Sequence, residues 1–290
     1  NTAKIVTDTK TQTVSRDYTL HYSDESIANV YLSISPVHLG YGRDGDRGFV
    51  LIVRDITREK SLEEERDEFI SVVSHELRTP VAVTEGAVGN ALFIAEKTGD
   101  LVKIKESLEN AHKQSKYLED MINDLSTLSR AERGVLESSV EDINVHELCD
   151  QMMHNYAPQA EEKGLLLHMD IDPSLTLLKS IRLYVQEIMQ NYITNAIKYT
   201  ETGSVTIEAK PKDNGVEFAV VDTGIGISKG DQGRVFDKFF RSEDYKTREQ
   251  NGTGLGLHVA RKLAQLAKAE VSLESTLGKG STFRIYFPNL

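Results

Sequence analysis

The spacing of apolar residues changes character along the chain, and each change marks a different kind of element. Between residues 17 and 56, the segments Tyr18 to Tyr22, Ala28 to Ser35 and Gly48 to Val53 are rich in β-branched and aromatic residues. With Gly42 to Gly48 as a turn before the last, they predict three antiparallel strands. From Arg58 to Glu68 the composition becomes charged and helix-forming. Phe69, Val72, Val73, Leu77 and Val83 then continue an apolar stripe at helical spacing. At about 100° per residue this puts His75 and Thr79 together on the opposite, solvent-facing side. Pro80 removes a backbone donor and disfavours helix at Thr79, so a bend or soft point is expected just beside His75.

After Thr98-Gly99-Asp100 the pattern resumes. Leu101, Ile104, Leu108, Ala111, Ser115, Leu118, Ile122, Leu125 and Leu128 recur three and four residues apart, forming a long, narrow seam. A two-helix hairpin with such a seam cannot cover its own apolar surface, so a homodimeric four-helix bundle is predicted. Gly134 to Asp142 reads as a linker. Beyond it come helices near Val145 to Glu162 and Leu183 to Tyr199, and a hairpin of Val205 to Ile207 with Val216 to Val221 around Asp213-Asn-Gly215. A helix following Gly256 and two closing strands flanking Gly278-Lys-Gly280 complete an α+β sandwich, with helices on one face of a mixed sheet.

Composition narrows the partners. The net charge of -11 and pI near 5.3 argue against nucleic acid, which needs clustered Lys and Arg. A single cysteine, Cys149, excludes an intrachain disulfide. No uninterrupted apolar run is long enough to span a bilayer. The chain starts with Asn1 rather than Met, so we expect part of a longer protein: a cytoplasmic portion whose membrane attachment, where there is one, lies upstream.

Three motifs carry chemistry. Glu187, Asn191 and Asn195 recur every four residues as a polar stripe on one helix, followed by Lys198 and Tyr199. Side-chain oxygens of this kind are hard donors suited to Mg²⁺, and Asn191 and Glu187 are the candidate metal residues. Asp222-Thr-Gly224-Ile-Gly226-Ile227 ends an apolar strand in a carboxylate that could accept from an adenine amino group, with glycines that admit a flat ligand. Gly252-Thr253-Gly254-Leu255-Gly256 opens a helix, where exposed amides make an anion site. Between these loops, Ser228 to Gln250 reads as a basic lid with aromatic anchors, carrying Arg234, Lys238, Arg241, Lys246 and Arg248 around Phe236, Phe239 and Phe240.

Rival motifs fail. A phosphate loop at Gly278-Lys-Gly280 would need glycine at Leu273, and no Lys follows Gly280. The dinucleotide fingerprint would need glycine at Lys229 or Val259. A metal site from His146, Cys149 and His154 is a weaker alternative to a buried helix face.

Taken together, the motifs resemble the sensor histidine kinases of two-component signalling. Ser74-His75-Glu76-Leu-Arg-Thr79-Pro80 resembles the phosphoacceptor box, Asn191 to Thr200 the asparagine box, Asp222 to Ile227 the first glycine box, Val235 to Arg241 the phenylalanine box, and Gly252 to Leu257 the second glycine box. The resemblance implies catalytic His75, Glu76 and Thr79. It also implies an ATP site of Asn191, Asn195, Lys198, Tyr199, Asp222, Gly224, Gly226, Ile227, Phe236, Lys238, Arg241 and Gly252 to Gly256, with ATP and Mg²⁺ as cofactors. A response regulator receiver domain would be the partner.

The strands ending in Arg54-Asp-Ile-Thr-Arg-Glu-Lys60 are similar to the second half of a PAS sensor domain. The implied architecture is multidomain: a β-rich partial PAS over residues 1–56, a signalling helix over 57–68, an all-α dimerisation and phosphotransfer hairpin over 69–133, and a two-layer ATP-binding sandwich over 140–290. A self-contained ATPase using Glu187, and a kinase-inactive dimeric scaffold, remain as alternatives.

Overall fold

The computed structural model describes residues 14–39, 46–133, 139–242 and 252–290. They fall into two compact units divided between Thr79 and Pro80, within the first helix.

In the first unit, β1 (Val14–His21), β2 (Ile27–Leu39) and β3 (Asp46–Asp55) form an antiparallel sheet in that order, with Tyr18 opposite Val30 and Leu32 opposite Val53. Part of the expected turn, residues 42–45, lies outside the described residues, and Asp46 to Gly48 belong to β3 instead. Asp55 ties the sheet to the first helix. Its carboxylate accepts from the Thr57 backbone N–H at 2.9 Å and the Thr57 hydroxyl at 2.6 Å, while the Asn29 N–H donates to that hydroxyl oxygen at 2.8 Å. The helix α1 (Thr57–Lys97) starts there.

The helix continues through Pro80, and Thr79, where proline disfavours helix, is helical. Proline forfeits one intrahelical hydrogen bond, and 41 residues of cooperative helix outweigh that loss.

The second unit begins with the rest of α1. Asp100 caps α2 (Leu101–Glu132), its carboxylate accepting from the N–H groups of Val102 and Lys103. Ala111, Met121, Leu128 and Ala131 are buried, whereas Leu101, Leu108 and Ile122 of the seam stand 78%, 49% and 57% exposed. Much of the apolar stripe is therefore uncovered within one chain. The linker is shorter than expected, because β4 (Glu141–Asn144) pairs antiparallel with β6 (Leu177–Ser180).

The helix α3 (Val145–Glu162) is capped by Asn144, whose side chain accepts from the Glu147 N–H. A five-stranded sheet follows in the order β5 (Leu166–Ile171), β7 (Ser204–Lys212), β8 (Gly215–Asp222), β10 (Gly280–Pro288), β9 (Glu270–Thr276). Only the β5–β7 pair is parallel, so the sheet is mixed as expected.

Burial alternates along β7, with Val205, Ile207 and Ala209 inward. These residues, with Phe218, Val220, Ile285 and Phe287, form a core with Ile188, Met189, Tyr192 and Ile193 of α4 (Arg182–Tyr199) and Val259 and Leu263 of α5 (Gly256–Leu266). Each large side chain buried here contributes about 1.5–3 kcal/mol. This core fixes α4 and α5 on one face, and their exposed flanks carry the polar residues of the site. Among the described residues no helix is long and apolar enough to cross a membrane.

Candidate active site

The first set of functional residues lies on α1. The His75 side chain is 74% exposed, and its Nδ1 lies 3.6 Å from a Glu76 carboxylate oxygen, within ion-pair range and longer than a hydrogen bond. Thr79, exposed one turn later, leans its hydroxyl toward the His75 carbonyl at 3.4 Å. The imidazole is thus presented to solvent with a carboxylate beside one ring nitrogen.

The second set surrounds a cavity of about 370 Å³ lined by Asn195 and Tyr199 of α4, by Asp222, Gly226 and Ile227 of the first glycine loop, and by Arg241. Asp222 is 7% exposed. Burial raises its pKa, opposed by backbone hydrogen bonds from Gly224 and Ser281, and the Gly224 N–H donates to its Oδ1 at 2.8 Å. Gly224 is required there because a Cβ would strike the Tyr199 carbonyl.

The loop itself is fixed. The Ile227 N–H donates to the Ser275 hydroxyl at 2.8 Å, and the Gln232 side-chain amide donates to the Ile227 and Ser275 carbonyls at 3.0 Å each. The floor of the cavity is apolar, with Phe283, Leu257, Leu277 and Val235 completing it.

A separate polar cluster forms where α4 meets the second glycine loop. A side chain at Gly252 would strike the Lys198 ammonium, and one at Gly256 would strike the Asn191 carboxamide oxygen, so loop and helix touch through these two glycines. The Asn191 side-chain NH₂ donates to the Glu187 carbonyl at 2.9 Å, which leaves its oxygen toward the loop. Burial lowers the Lys198 pKa to about 8, the Arg241 charge pushing the same way and Asp120 opposing. Its ammonium lies 4.7 Å from the Tyr199 ring centroid. Burial likewise raises the Glu187 carboxyl. A desolvated ammonium beside a glycine-rich loop that opens a helix suits an anion, and the half-buried carboxylate of Glu187, one turn before the Asn191 carboxamide, offers a hard donor to a cation.

The sequence-predicted residues separate into groups. Asn195, Tyr199, Asp222, Gly226, Ile227 and Arg241 line the cavity, whereas Asn191, Lys198, Gly252 and Gly256 do not line it and meet one another where α4 touches the second glycine loop. Gly254, at φ 68°, packs against the Phe239 backbone, and Leu255 is fully buried beneath the loop. Phe236 faces inward, edge-on to Phe283 at 6.4 Å between centroids, with its carbonyl 3.0 Å from His258 Nδ1. Lys238 does not line the cavity, and Thr253 turns to α2. Lys246, Arg248 and Asn251 lie outside the described residues.

Sequence reasoning missed the apolar floor and Ser228, Asp231 and Ser242 at the rim. It also missed Lys163, whose ammonium donates to the Ile197 and Lys198 carbonyls at 2.8 and 2.6 Å, closing the C-terminus of α4 just before the site. The weaker metal candidate fails: Cys149 is fully buried with its pKa pushed by burial to about 12, while His154 is exposed.

Comparison with known proteins places these elements in a family. The model for histidine kinase-, DNA gyrase B- and HSP90-like ATPases matches residues 181–290, and that for the His Kinase A (phospho-acceptor) domain matches residues 65–134. Drug sensory protein A of Synechocystis is 32% identical over 256 residues, and the sensor protein SrrB of Staphylococcus aureus 31% over 249, each alignment covering 84% of this chain. The chain spans only 38% and 42% of those two relatives.

Among solved structures, full-length ShkA in complex with AMPPNP aligns over 76% of this chain and 45% of its own, with a TM-score of 0.57 and 26% identity. The Acinetobacter baumannii histidine kinase AdeS shares the fold over 74% of this chain and 98% of its own, with a TM-score of 0.59 and 23% identity. With both domain types matched in order and the exposed histidine and glycine-lined cavity falling inside them, the chain belongs to the sensor histidine kinases of two-component systems.

Proposed function

We propose that this chain is an ATP-dependent, autophosphorylating protein-histidine kinase. The observation that carries the reading is the occurrence in one chain of an exposed imidazole at His75, a cavity lined by the buried carboxylate of Asp222, and the desolvated ammonium of Lys198 next to the cavity-lining Tyr199, which together suit a nucleophile and the two ends of ATP. The adenine amino group donates to Asp222, the ring packs on the apolar floor, and the phosphates meet Lys198 and the second glycine loop. A neutral imidazole nitrogen of His75 attacks the γ-phosphorus, the P–O bond to ADP breaks, and Glu76 stabilises the imidazolium that forms. The resulting phosphoramidate is labile enough to pass its phosphoryl group to an aspartate of a response regulator receiver domain. Thr79, exposed one turn after His75, would orient a water that hydrolyses the phosphoryl aspartate of that receiver domain.

Mg²⁺ fits the donors present. The Asn191 carboxamide oxygen and the Glu187 carboxylate are hard ligands, and two protein ligands suffice for an ion that keeps waters and substrate phosphates in its shell. When bound, the ion offsets phosphate charge. The exposed Leu101, Leu108 and Ile122 support a homodimer through the helical hairpin. We read the 14–55 sheet as the later part of a PAS-like sensor region, followed by a signalling helix over 57–68, the phosphotransfer hairpin over 69–133 and the ATP-binding domain over 140–290.

The test is incorporation of γ-labelled phosphate from ATP with Mg²⁺, the product being challenged with acid and with base. Acid-labile, base-stable label is expected. Acid-stable label, or none in a chain that binds ATP, overturns the reading. One observation favours a second reading: the raised Glu187 pKa suits a general base that activates water, which would make the chain an ATPase. Release of free phosphate by a His75→Gln chain at the wild-type rate would select it.

A further inference from the structure

The second glycine loop is engaged from outside the ATP-binding sandwich. Thr253 lies between Gly252, which abuts Lys198, and Gly256, which abuts Asn191, in the middle of the segment assigned to the phosphates. Its hydroxyl donates to a carboxylate oxygen of Asp124 at 2.7 Å and accepts from the Leu255 N–H at 3.1 Å, so both its polar functions are used. Asp124 comes from α2 of the hairpin, 129 residues away in sequence, and is largely enclosed by the contact. Burial pushes its carboxyl up to about 6, the Asp120 and Glu187 charges adding and the Thr253 hydrogen bond opposing. Asp120, one turn earlier on α2, is also the carboxylate that helps hold the charge on Lys198.

A carboxylate oxygen and a phosphate oxygen make the same demands on a hydroxyl donor and an ammonium. Two anions in one desolvated corner repel, so the hairpin carboxylates and the triphosphate cannot both be held there at full strength.

We propose that Asp124, with Asp120, acts as an intramolecular stand-in for the ATP phosphates, latching the second glycine loop to the hairpin through Thr253 until the triphosphate displaces it. This rests on the ATP reading above and adds a regulatory contact to the same site. Its chemistry restricts the competition to phosphate-bearing ligands, because the adenine end of the cavity is bounded by Asp222 and the apolar floor and does not involve α2.

The experiment is isothermal titration of the whole chain and of its Asp124→Asn variant with ATP in the presence of Mg²⁺ and, separately, with adenosine. Asparagine keeps the shape and the acceptor for Thr253 and removes only the charge. ATP should bind the variant about three- to tenfold more tightly, the scale of one nearby unit charge at a partly shielded site, while adenosine binds both chains equally. The double variant Asp120→Asn/Asp124→Asn should tighten ATP further. An Asp124→Asn chain that binds ATP no better than wild type, or that gains equally for adenosine, overturns the latch and leaves the nucleotide reading standing. ATP binding to neither chain removes the nucleotide reading and the latch with it.

Discussion

The helix around His75 and the cavity around Asp222 handle polar groups in opposite ways. His75 is 74% exposed and touches one carboxylate at 3.6 Å, whereas Asp222 is 7% exposed and accepts a backbone N–H at 2.8 Å within a loop pinned to its neighbouring strands. In the proposed reaction, a nucleophile that must meet both a nucleotide and a partner protein gains from access. A pocket that must select a base gains from dryness and from donors fixed before the ligand arrives. The lesson is that the two halves of the chemistry are separable: changes on the helix should affect phosphoryl transfer with little effect on folding, and changes in the pocket should affect binding first.

The sharpest break of that comparison is His75→Gln, which should abolish label incorporation while moving the melting free energy by no more than about 0.5 kcal/mol, as expected of an exposed position. Next comes Asp222→Ala. Losing a buried charge-assisted acceptor should weaken ATP binding by about 10- to 100-fold, measured by titration. Lys198 then sharpens the electrostatic side. Its pKa near 8 means that phosphate binding requires proton uptake once pH exceeds that value. ATP affinity should therefore hold below pH 8 and fall above it by up to about tenfold per pH unit, and Lys198→Arg should flatten the profile. The smallest effect is expected at Lys163. Lys163→Met should cost about 1–2 kcal/mol in urea denaturation by freeing two carbonyls at the end of α4.

Where the sequence was readable, a local physical signal existed. The helix α3 matches its predicted limits because the apolar spacing is regular and Asn144 supplies a cap. The glycine loops were readable because only glycine tolerates the approach of Tyr199 to Gly224 and of Asn191 to Gly256. The strands β4 and β6 were not, since four residues each leave no room for a period-two pattern to register. The edge strand β5 was missed for a related reason: its exposure does not alternate cleanly. At Thr79 the local signal misled, because proline's penalty on helix there was set against a helix long enough to absorb it. The Thr253–Asp124 hydrogen bond and the Lys163 closure of α4 join residues 129 and 34 or 35 positions apart, and nothing in the chain near either partner announces them.

The most direct test of separability compares His75→Gln with Asp222→Ala, measuring ATP affinity and incorporated label on the same preparations. The account predicts unchanged affinity with no label for the first, and both lost together for the second. A His75→Gln chain that keeps its label, or an Asp222→Ala chain that binds ATP as tightly as wild type, would contradict it.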